Sequence, residues 1–134
     1  MMIHCKIVTP NGLYAQLDTK ILNIVTTDGQ RGILPNHMPL VTTLAIGKMT
    51  TEEADGRKNY ALSGGLLHFA NNEAVILVDS IENENEIDVE RALAARERAL
   101  SYLNSQDPNV DYRRAEVALK RAMNRLQVKG YELR

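Results

Sequence analysis

Arginine side chains recur at helical spacing in the C-terminal part of the sequence. Arg91 and Arg98 are seven residues apart. In the following segment, Arg114, Arg121 and Arg125 are separated by seven and four residues. Such spacings place side chains on one face of an α-helix, and a guanidinium group keeps its charge and binds phosphate or carboxylate in a bidentate manner. The arginines therefore indicate a polyphosphate site, an acidic protein partner or solvated helix faces, and spacing alone leaves these alternatives open.

A second candidate is the segment 28–40, in which two glycines and two prolines restrict the backbone around apolar residues. The apolar side chains of Ile33, Leu34 and Met38 either pack into the core or form a docking surface for a partner. The composition favours a rigid structural loop and leaves the docking role as the alternative.

The sequence contains no arrangement typical of a catalytic or metal site. Ser63-Gly64-Gly65 lacks the glycine that precedes the serine in a nucleophile elbow. His4, His37 and His68 are far apart and are not spaced as metal ligands. No glycine-rich loop ends in Gly-Lys-Ser/Thr, the pattern that cradles phosphates. We therefore predict a noncatalytic protein without a metal or a required cofactor.

The first half of the sequence is divided by turn residues, since seven of the eight glycines and three of the four prolines precede residue 66. Between them, apolar and polar residues alternate, as in Ile3–Ile7 and Leu22–Thr26, which is typical of half-buried strands. Further predicted strands are 39–45, 47–53, 57–62, 65–70 and 73–79. Asp55-Gly56 and Asn71-Asn72 resemble hairpin turns. The pattern predicts a β-sandwich or barrel over residues 1–84.

From residue 85 onwards the composition favours helices. The polar run 82–86 has no apolar anchor and predicts a linker, with a cation site formed by its glutamates as the less favoured alternative. Segments 88–104 and 111–129 are rich in helix formers and begin with aspartates suited to N-caps. The second segment carries six basic and two acidic residues. Its apolar stripe consists of Tyr112, Ala115, Leu119, Ala122 and Leu126. We predict an antiparallel helical hairpin over residues 85–134.

The overall composition is that of a soluble globular protein. The 134 residues are 44% hydrophobic and 25% charged, with 16 basic and 17 acidic side chains. This balance argues against a nucleic-acid binder. A single cysteine, Cys5, excludes an internal disulfide. The longest apolar run, Ala74–Val78, is too short for a transmembrane helix, and the N-terminus lacks a signal-peptide pattern, so we expect a cytoplasmic protein.

Four motifs resemble, in the same order, signatures of the epsilon subunit of F-type ATP synthases. Residues 29–42 resemble the signature Gly-x-x-Gly-(Ile/Val)-x-Pro-Gly-His-x-Pro-Leu-x-Thr, and residues 61–67 resemble a strand that enters a Gly-Gly turn. Residues 87–92 match an Ile/Leu-Asp-x-x-Arg-Ala motif, and residues 118–126 resemble the last helix of bacillus-type members. Asn36 replaces the glycine usual before the histidine, and asparagine tolerates the left-handed conformation that such a loop needs.

The resemblance implies a ten-stranded β-sandwich followed by a helical hairpin, in a noncatalytic rotor subunit of a proton-translocating bacterial ATP synthase. The implied partners are the gamma subunit, the ring of c subunits and, through the hairpin, the alpha/beta catalytic head. The subunit would reach the cytoplasmic face of the cell membrane only through the complex. Segment 29–40 would face the ring, which makes Gln30, Arg31, His37 and Met38 candidate partner contacts, although Gln30 stands where some relatives have glutamate.

The resemblance also implies that the hairpin regulates ATP hydrolysis. Folded against the sandwich, it would leave rotation free; extended along gamma, its basic second helix would reach acidic segments of the head and block hydrolysis. In members with the complete motif, ATP is a regulatory ligand that favours the folded form. The matching positions here are Glu82, Ile87, Asp88, Arg91, Ala92, Arg98, Arg121 and Arg125. The alternative is a free-standing ATP-sensing protein of the same fold, without a stable complex with gamma.

Overall fold

The computed structural model describes residues 1–131, so the last three residues of the predicted hairpin 85–134 lie outside the described part. Over this range, the chain forms eight strands, a short 3-10 turn (Glu84–Glu86) and two helices. The strands are β1 (Ile3–Thr9), β2 (Gly12–Thr19), β3 (Leu22–Thr26), β4 (Gly29–Ile33), β5 (Leu40–Glu53), β6 (Gly56–Ala70), β7 (Glu73–Val78) and β8 (Ile81–Asn83). The helices are α1 (Val89–Leu103) and α2 (Tyr112–Lys129).

The strands are hydrogen-bonded in the order β2-β1-β7-β6-β5-β3-β4, and β8 pairs with β6. All pairs are antiparallel except β1 with β7. Strands β5 and β6 are 14 and 15 residues long, and each covers two of the predicted strands. Their ladder continues from Leu40↔Phe69 to Glu53↔Gly56, which is why eight strands are found where the family resemblance implied ten.

The core of the sandwich is formed by the alternating apolar side chains of its strands. On β1, Ile3, Cys5 and Ile7 are fully buried, while His4 and Lys6 are exposed, which confirms the predicted alternation. Asn71 and Asn72 both have positive φ, of 52° and 61°, as expected of a two-residue hairpin turn between β6 and β7.

The segment 29–40 is not a single loop, and this part of the prediction was wrong. Gly29–Ile33 forms β4, which pairs with β3, and only the residues after it leave the sheet. Ile33 is fully buried, whereas Leu34 and Met38 are 57% and 72% exposed. Asn36 has a φ of 68°, so asparagine does take the left-handed conformation here.

The predicted linker 82–86 is also wrong, because its polar side chains stabilise it locally. Glu82 belongs to β8, and the Asn83 side chain accepts a hydrogen bond from the backbone N–H of Asn85 at 2.9 Å. The Glu86 carboxylate accepts from the Asn83 backbone N–H at 3.0 Å and from the Tyr14 hydroxyl. This capping box anchors the segment without apolar burial.

The two helices pack on each other as the predicted hairpin, and both begin at the expected caps. Asp88 accepts from the backbone N–H of Arg91, and Asp111 from that of Arg114, each at 3.1 Å. Gly130 ends α2 with a φ of 78°, a left-handed C-cap.

The hairpin lies folded against the sandwich through α2. The Asn124 side-chain amide donates to the carbonyl oxygens of Gly47, at 2.9 Å, and Leu62, at 3.3 Å. Lys129 donates to the Glu84 carbonyl oxygen at 3.0 Å. An apolar contact of Val128 with Ala61 and Ile87 adds to these hydrogen bonds, so directed polar contacts and apolar burial together hold α2 in its folded position.

Candidate functional site

A cleft of about 450 Å³ lies at the base of the hairpin, between α1, the end of β8 and the last turns of α2. It contains six of the eight residues predicted to bind a nucleotide. These are Glu82, Asp88, Arg91, Ala92, Arg98 and Arg125. Glu86 completes its polar lining. Residues of the sandwich part, of α1 and of α2 therefore line one cleft, and they meet only because the hairpin is folded.

Local structure fixes the position of each charged group in the cleft. The Asp88 carboxylate caps α1, which places Arg91 in the first turn and Arg98 two turns further along the same face. On α2, the Arg125 Nε donates to the Glu82 carboxylate and forms an ion pair that joins α2 to β8. The cleft thus presents arginines from both helices towards a common space.

The charges that line the cleft balance, since three arginines face three carboxylates. Each carboxylate already has a protein partner: Asp88 caps α1, Glu82 pairs with Arg125, and Glu86 accepts from Tyr14 and from the Asn83 N–H. Burial and the neighbouring Glu86 raise the pKa of Tyr14, which keeps its hydroxyl a donor. Arg91 and Arg98 form no ion pair with any residue in the described range 1–131.

The two remaining predicted residues lie beside the cleft. Ile87 is 4% exposed and packs with Ala61 and Val128, so it anchors the start of the hairpin. Arg121 lies one turn before Arg125, next to a small gap lined by Ser63 and other residues of the sandwich. The Arg121 Nε is buried and has no hydrogen-bond partner among the described residues. An unsatisfied buried guanidinium N–H is costly, and a ligand oxygen would satisfy it.

The four predicted partner contacts fall into two groups. Gln30 and Arg31 are exposed on β4 and line a second cleft, which faces α2. The rings of His37 and Phe69 pack at right angles, with centroids 5.9 Å apart, and the His37 Nδ1 lies 2.7 Å from the Met38 carbonyl oxygen. His37 therefore braces the loop, and Leu34 and Met38 are the large apolar side chains that the loop exposes.

An exposed apolar row crosses the outer face of the sheet and was missed in the sequence. Register places Leu13 beside Val8, Val8 beside Leu77, and Leu77 beside Leu66. Leu13, Leu77 and Leu66 are 54%, 45% and 39% exposed. We call Leu13, Val8, Leu77 and Leu66 the outer apolar row. The signal for it was the continuous apolar run Ala74–Val78, since a strand with one solvated face should alternate.

Two further features concern residues 1–131. This range holds no group of three His, Cys, Asp or Glu side chains placed to bind a metal ion. Neither α1 nor α2 is long and apolar enough to cross a membrane.

Known protein families match both the sandwich part and the helical part of this chain. A family model for the ATP synthase delta/epsilon chain, beta-sandwich domain, matches residues 2–84, and one for its long alpha-helix domain matches residues 85–130. The ATP synthase epsilon chain of Halalkalibacterium halodurans is 38% identical, covering 96% of this chain and 97% of that one. The ATP synthase epsilon chain of Lactobacillus helveticus is 43% identical, covering 91% of this chain and 88% of that one. The one from Bacillus velezensis is 40% identical, covering 96% of this chain and 97% of that one.

A solved structure agrees with these relatives. A chain in the cryo-EM structure of Euglena gracilis mitochondrial ATP synthase, OSCP/F1/c-ring in rotational state 1, has a TM-score of 0.80 and 26% identity, covering 92% of this chain and 78% of that one. The matches confirm the predicted fold class, the resemblance to epsilon subunits and the prediction of a noncatalytic subunit. This chain therefore belongs to the ATP synthase delta/epsilon family, as an epsilon chain of the F-type complex.

Proposed function

We propose that this chain is a rotor subunit that couples rotation of the c-ring to gamma and the catalytic head, and that its hairpin regulates ATP hydrolysis by binding ATP. It would be held at the cytoplasmic face of the membrane through the complex. Support for the rotor role comes from the epsilon-chain relatives and from the 26% identical chain of a solved ATP synthase that includes the c-ring.

The cleft at the base of the hairpin carries the ATP part of the proposal. Arg91 and Arg98 have no ion-pair partner among the described residues, and Arg125 has only Glu82, which a phosphate can replace. The buried Nε of Arg121, next to Arg125, lacks an acceptor within the same range. Guanidinium groups bind phosphate by charge-assisted hydrogen bonds, so the arginines fit a triphosphate. Asp88 would accept from the adenine amino group or orient Arg91.

Binding at this cleft would stabilise the folded hairpin, because detachment of α2 from the sandwich would take Arg125 away from Glu82 and disassemble the cleft. A ligand that binds only one of two states shifts the equilibrium towards that state. At a concentration about 100 times its Kd, ATP would favour the folded form by about 2.7 kcal/mol. This corresponds to an approximately 100-fold shift in the ratio of folded to extended hairpins.

The outer surface of the sandwich offers two places for rotor partners. Exposed apolar patches on small proteins mark protein interfaces, and the outer apolar row has that character. We assign this row to gamma, and we assign the loop tip with Leu34 and Met38 to the c-ring. Of the remaining candidates, His37 would act by holding the loop, while Gln30 and Arg31 stay predicted contacts.

The experiment that tests the ATP site is a calorimetric titration of the chain with ATP and with ADP. We expect saturable binding that is tighter for ATP, and Arg98→Gln should weaken it about 10- to 150-fold, the effect of losing a charged hydrogen bond. Arg113→Gln, an exposed arginine on α2 outside the cleft, is the matched control and should leave the affinity unchanged. Equal affinities of wild type and Arg98→Gln would remove the cleft from the proposal.

The rotor role is tested separately by reconstitution with gamma. We expect Leu77→Glu to abolish a stable complex with gamma while ATP binding is retained, because the charge lies on the outer apolar row and Leu77 does not line the hairpin cleft. Tight ATP binding by a wild-type chain that forms no complex with gamma would instead support a free-standing ATP sensor.

A further inference from the structure

A second cleft, of about 900 Å³, lies on the neighbouring face of α2, between this helix and strands β3, β4 and β5. It shares no lining residue with the cleft at the base of the hairpin. Its helical wall is formed by Leu119, Lys120, Met123 and Gln127 around the anchor Asn124. We call this space the sheet-helix cleft.

The sheet-helix cleft is strongly cationic. Four of its side chains are basic, one each from β4, β5, β6 and α2: Arg31, Lys48, Arg57 and Lys120. None of its described lining residues is acidic, and none of the four forms an ion pair within residues 1–131. This is notable in a chain whose formal net charge is −1, because the uncompensated positive charge is concentrated in one place.

The floor of the sheet-helix cleft is apolar. Val25, Ile46 and Leu119 are half-buried in its lining, and the side chain of Ile24 beneath them belongs to the core of the sandwich. Met123 is 38% exposed on the helical wall, and a flexible thioether side chain adapts to varied apolar partners. A ligand for this cleft must therefore combine negative charges at the rim with apolar groups at the floor.

Two features argue against a nucleotide in this cleft. Its lining contains no Phe, Tyr or Trp side chain on which a base could stack. The part of α2 that forms its wall begins at Leu119, well beyond the helix N-terminus at Tyr112, so no free N–H groups of the helix point into it. The four cations also come from four separate elements around the rim, which suits several carboxylates along a chain.

We propose that the sheet-helix cleft binds an acidic, amphipathic segment of another polypeptide, whose carboxylates pair with Arg31, Lys48, Arg57 and Lys120 and whose apolar side chains cover the floor. This site is distinct from the nucleotide cleft and does not depend on it. Since α2 forms one wall, detachment of the hairpin destroys the site, and a bound segment favours the folded hairpin.

Fluorescence anisotropy with a short labelled peptide of alternating glutamate and leucine tests this proposal on the full chain. We expect saturable binding that weakens as salt is raised. Each exposed ion pair contributes a factor of about 1.5 to 5, so the triple variant Lys48→Gln, Arg57→Gln, Lys120→Gln should bind about tenfold more weakly. The control triple variant Lys6→Gln, Lys20→Gln, Arg113→Gln loses the same charge from exposed positions outside the cleft and should bind like wild type.

Two further arms decide whether the ligand is an amphipathic segment in this cleft. A peptide with glutamine in place of leucine should bind more weakly, and equal binding would overturn the role of the apolar floor. ATP should not displace the glutamate–leucine peptide, because displacement would place the peptide in the nucleotide cleft and overturn the proposal. Equal peptide affinities for the two triple variants would overturn it as well. Circular dichroism of each variant confirms the fold.

Discussion

Asn124→Ala should release the hairpin from the sandwich without disturbing the sandwich itself. The Asn124 amide donates to the carbonyl oxygens of Gly47 and Leu62, which face each other in the β5–β6 ladder, at 2.9 and 3.3 Å. Both carbonyls belong to the sandwich and Asn124 to α2, so the substitution removes a direct link between the two parts.

The expected size follows from these two hydrogen bonds. An ordinary hydrogen bond contributes about 0.5–1.5 kcal/mol, so losing both should cost about 1–3 kcal/mol of the free energy that holds the hairpin folded. A change of about 2 kcal/mol corresponds to an approximately 30-fold shift in the ratio of folded to detached hairpins. The free energy of unfolding of the sandwich should not change, because Asn124 binds only backbone carbonyl oxygens of the sandwich and does not belong to its apolar core.

Hydrogen exchange read by mass spectrometry reports this shift, because a helix that leaves the sandwich loses packing that keeps its backbone hydrogen bonds closed. Amides of α2 should exchange about 30-fold faster in Asn124→Ala, while those of β1 keep their wild-type rates. Asn109→Ala, an exposed asparagine in the loop between the helices, is the control and should leave both rates unchanged. Equal exchange of α2 in wild type and Asn124→Ala would refute the idea that these hydrogen bonds hold the hairpin.

Three further predictions concern the sandwich. The hydrogen bond to Asp18 raises the pKa of His4, so the pair stabilises the fold below about pH 6.5 and the effect is lost as pH rises through the folded-state pKa. His4→Gln should therefore lower the free energy of unfolding, by less than about 1 kcal/mol, in acidic but not in alkaline buffer, as measured by urea titration. Burial raises the pKa of the Cys5 thiol to about 12, and a thiol reagent should label it only at the rate of global unfolding. Gly65→Ala should cost about 3 kcal/mol or more in the thermal unfolding of the chain, because its Cβ would lie 1.9 Å from the Leu77 carbonyl oxygen.

Each of these three predictions would be contradicted by a specific result. A pH-independent effect of His4→Gln would refute the role of protonation, and labelling of Cys5 faster than unfolding would show that the core opens locally. The control for Gly65 is Gly12→Ala, whose added Cβ meets nothing within 4 Å and whose cost should be limited to backbone strain, about 1 kcal/mol. Equal costs at Gly65 and Gly12 would contradict the steric argument.

The alternation of apolar and polar residues in the sequence predicted those strands that have one face buried and the other exposed to solvent. The alternation of Ile3, Cys5 and Ile7 marks a strand with one buried face, and Asp88 and Asp111 mark helix starts because a carboxylate satisfies free N–H groups there. These signals are local, so they can be read from a single sequence.

The errors arose where distant residues decide the structure. The Gly64-Gly65 pair was interpreted as a break between strands, yet both glycines continue β6 with positive φ, because Gly65 lies directly against the backbone of β7. The polar run 82–86 is ordered by its own capping box and by Tyr14, which is 72 residues away from Glu86 in sequence.

The candidate site was predicted only in part for the same reason. Helical spacing placed Arg121 and Arg125 on one face of α2, but the packing of α2 on β8 and β6 decides that Arg125 enters the cleft and that Arg121 lies beside it. The outer apolar row likewise depends on register across β2, β1, β7 and β6, which no local pattern reveals.

The proposal that ATP binds the cleft and thereby holds the hairpin folded is tested most directly by hydrogen exchange of α2 with and without ATP. At about 100 times its Kd, ATP should slow the exchange of those α2 amides that open by detachment of the hairpin about 100-fold in wild type. The same ATP concentration should slow exchange far less in Arg98→Gln, which lacks a cleft arginine. Unchanged or faster exchange of α2 in wild type with saturating ATP would contradict the proposal.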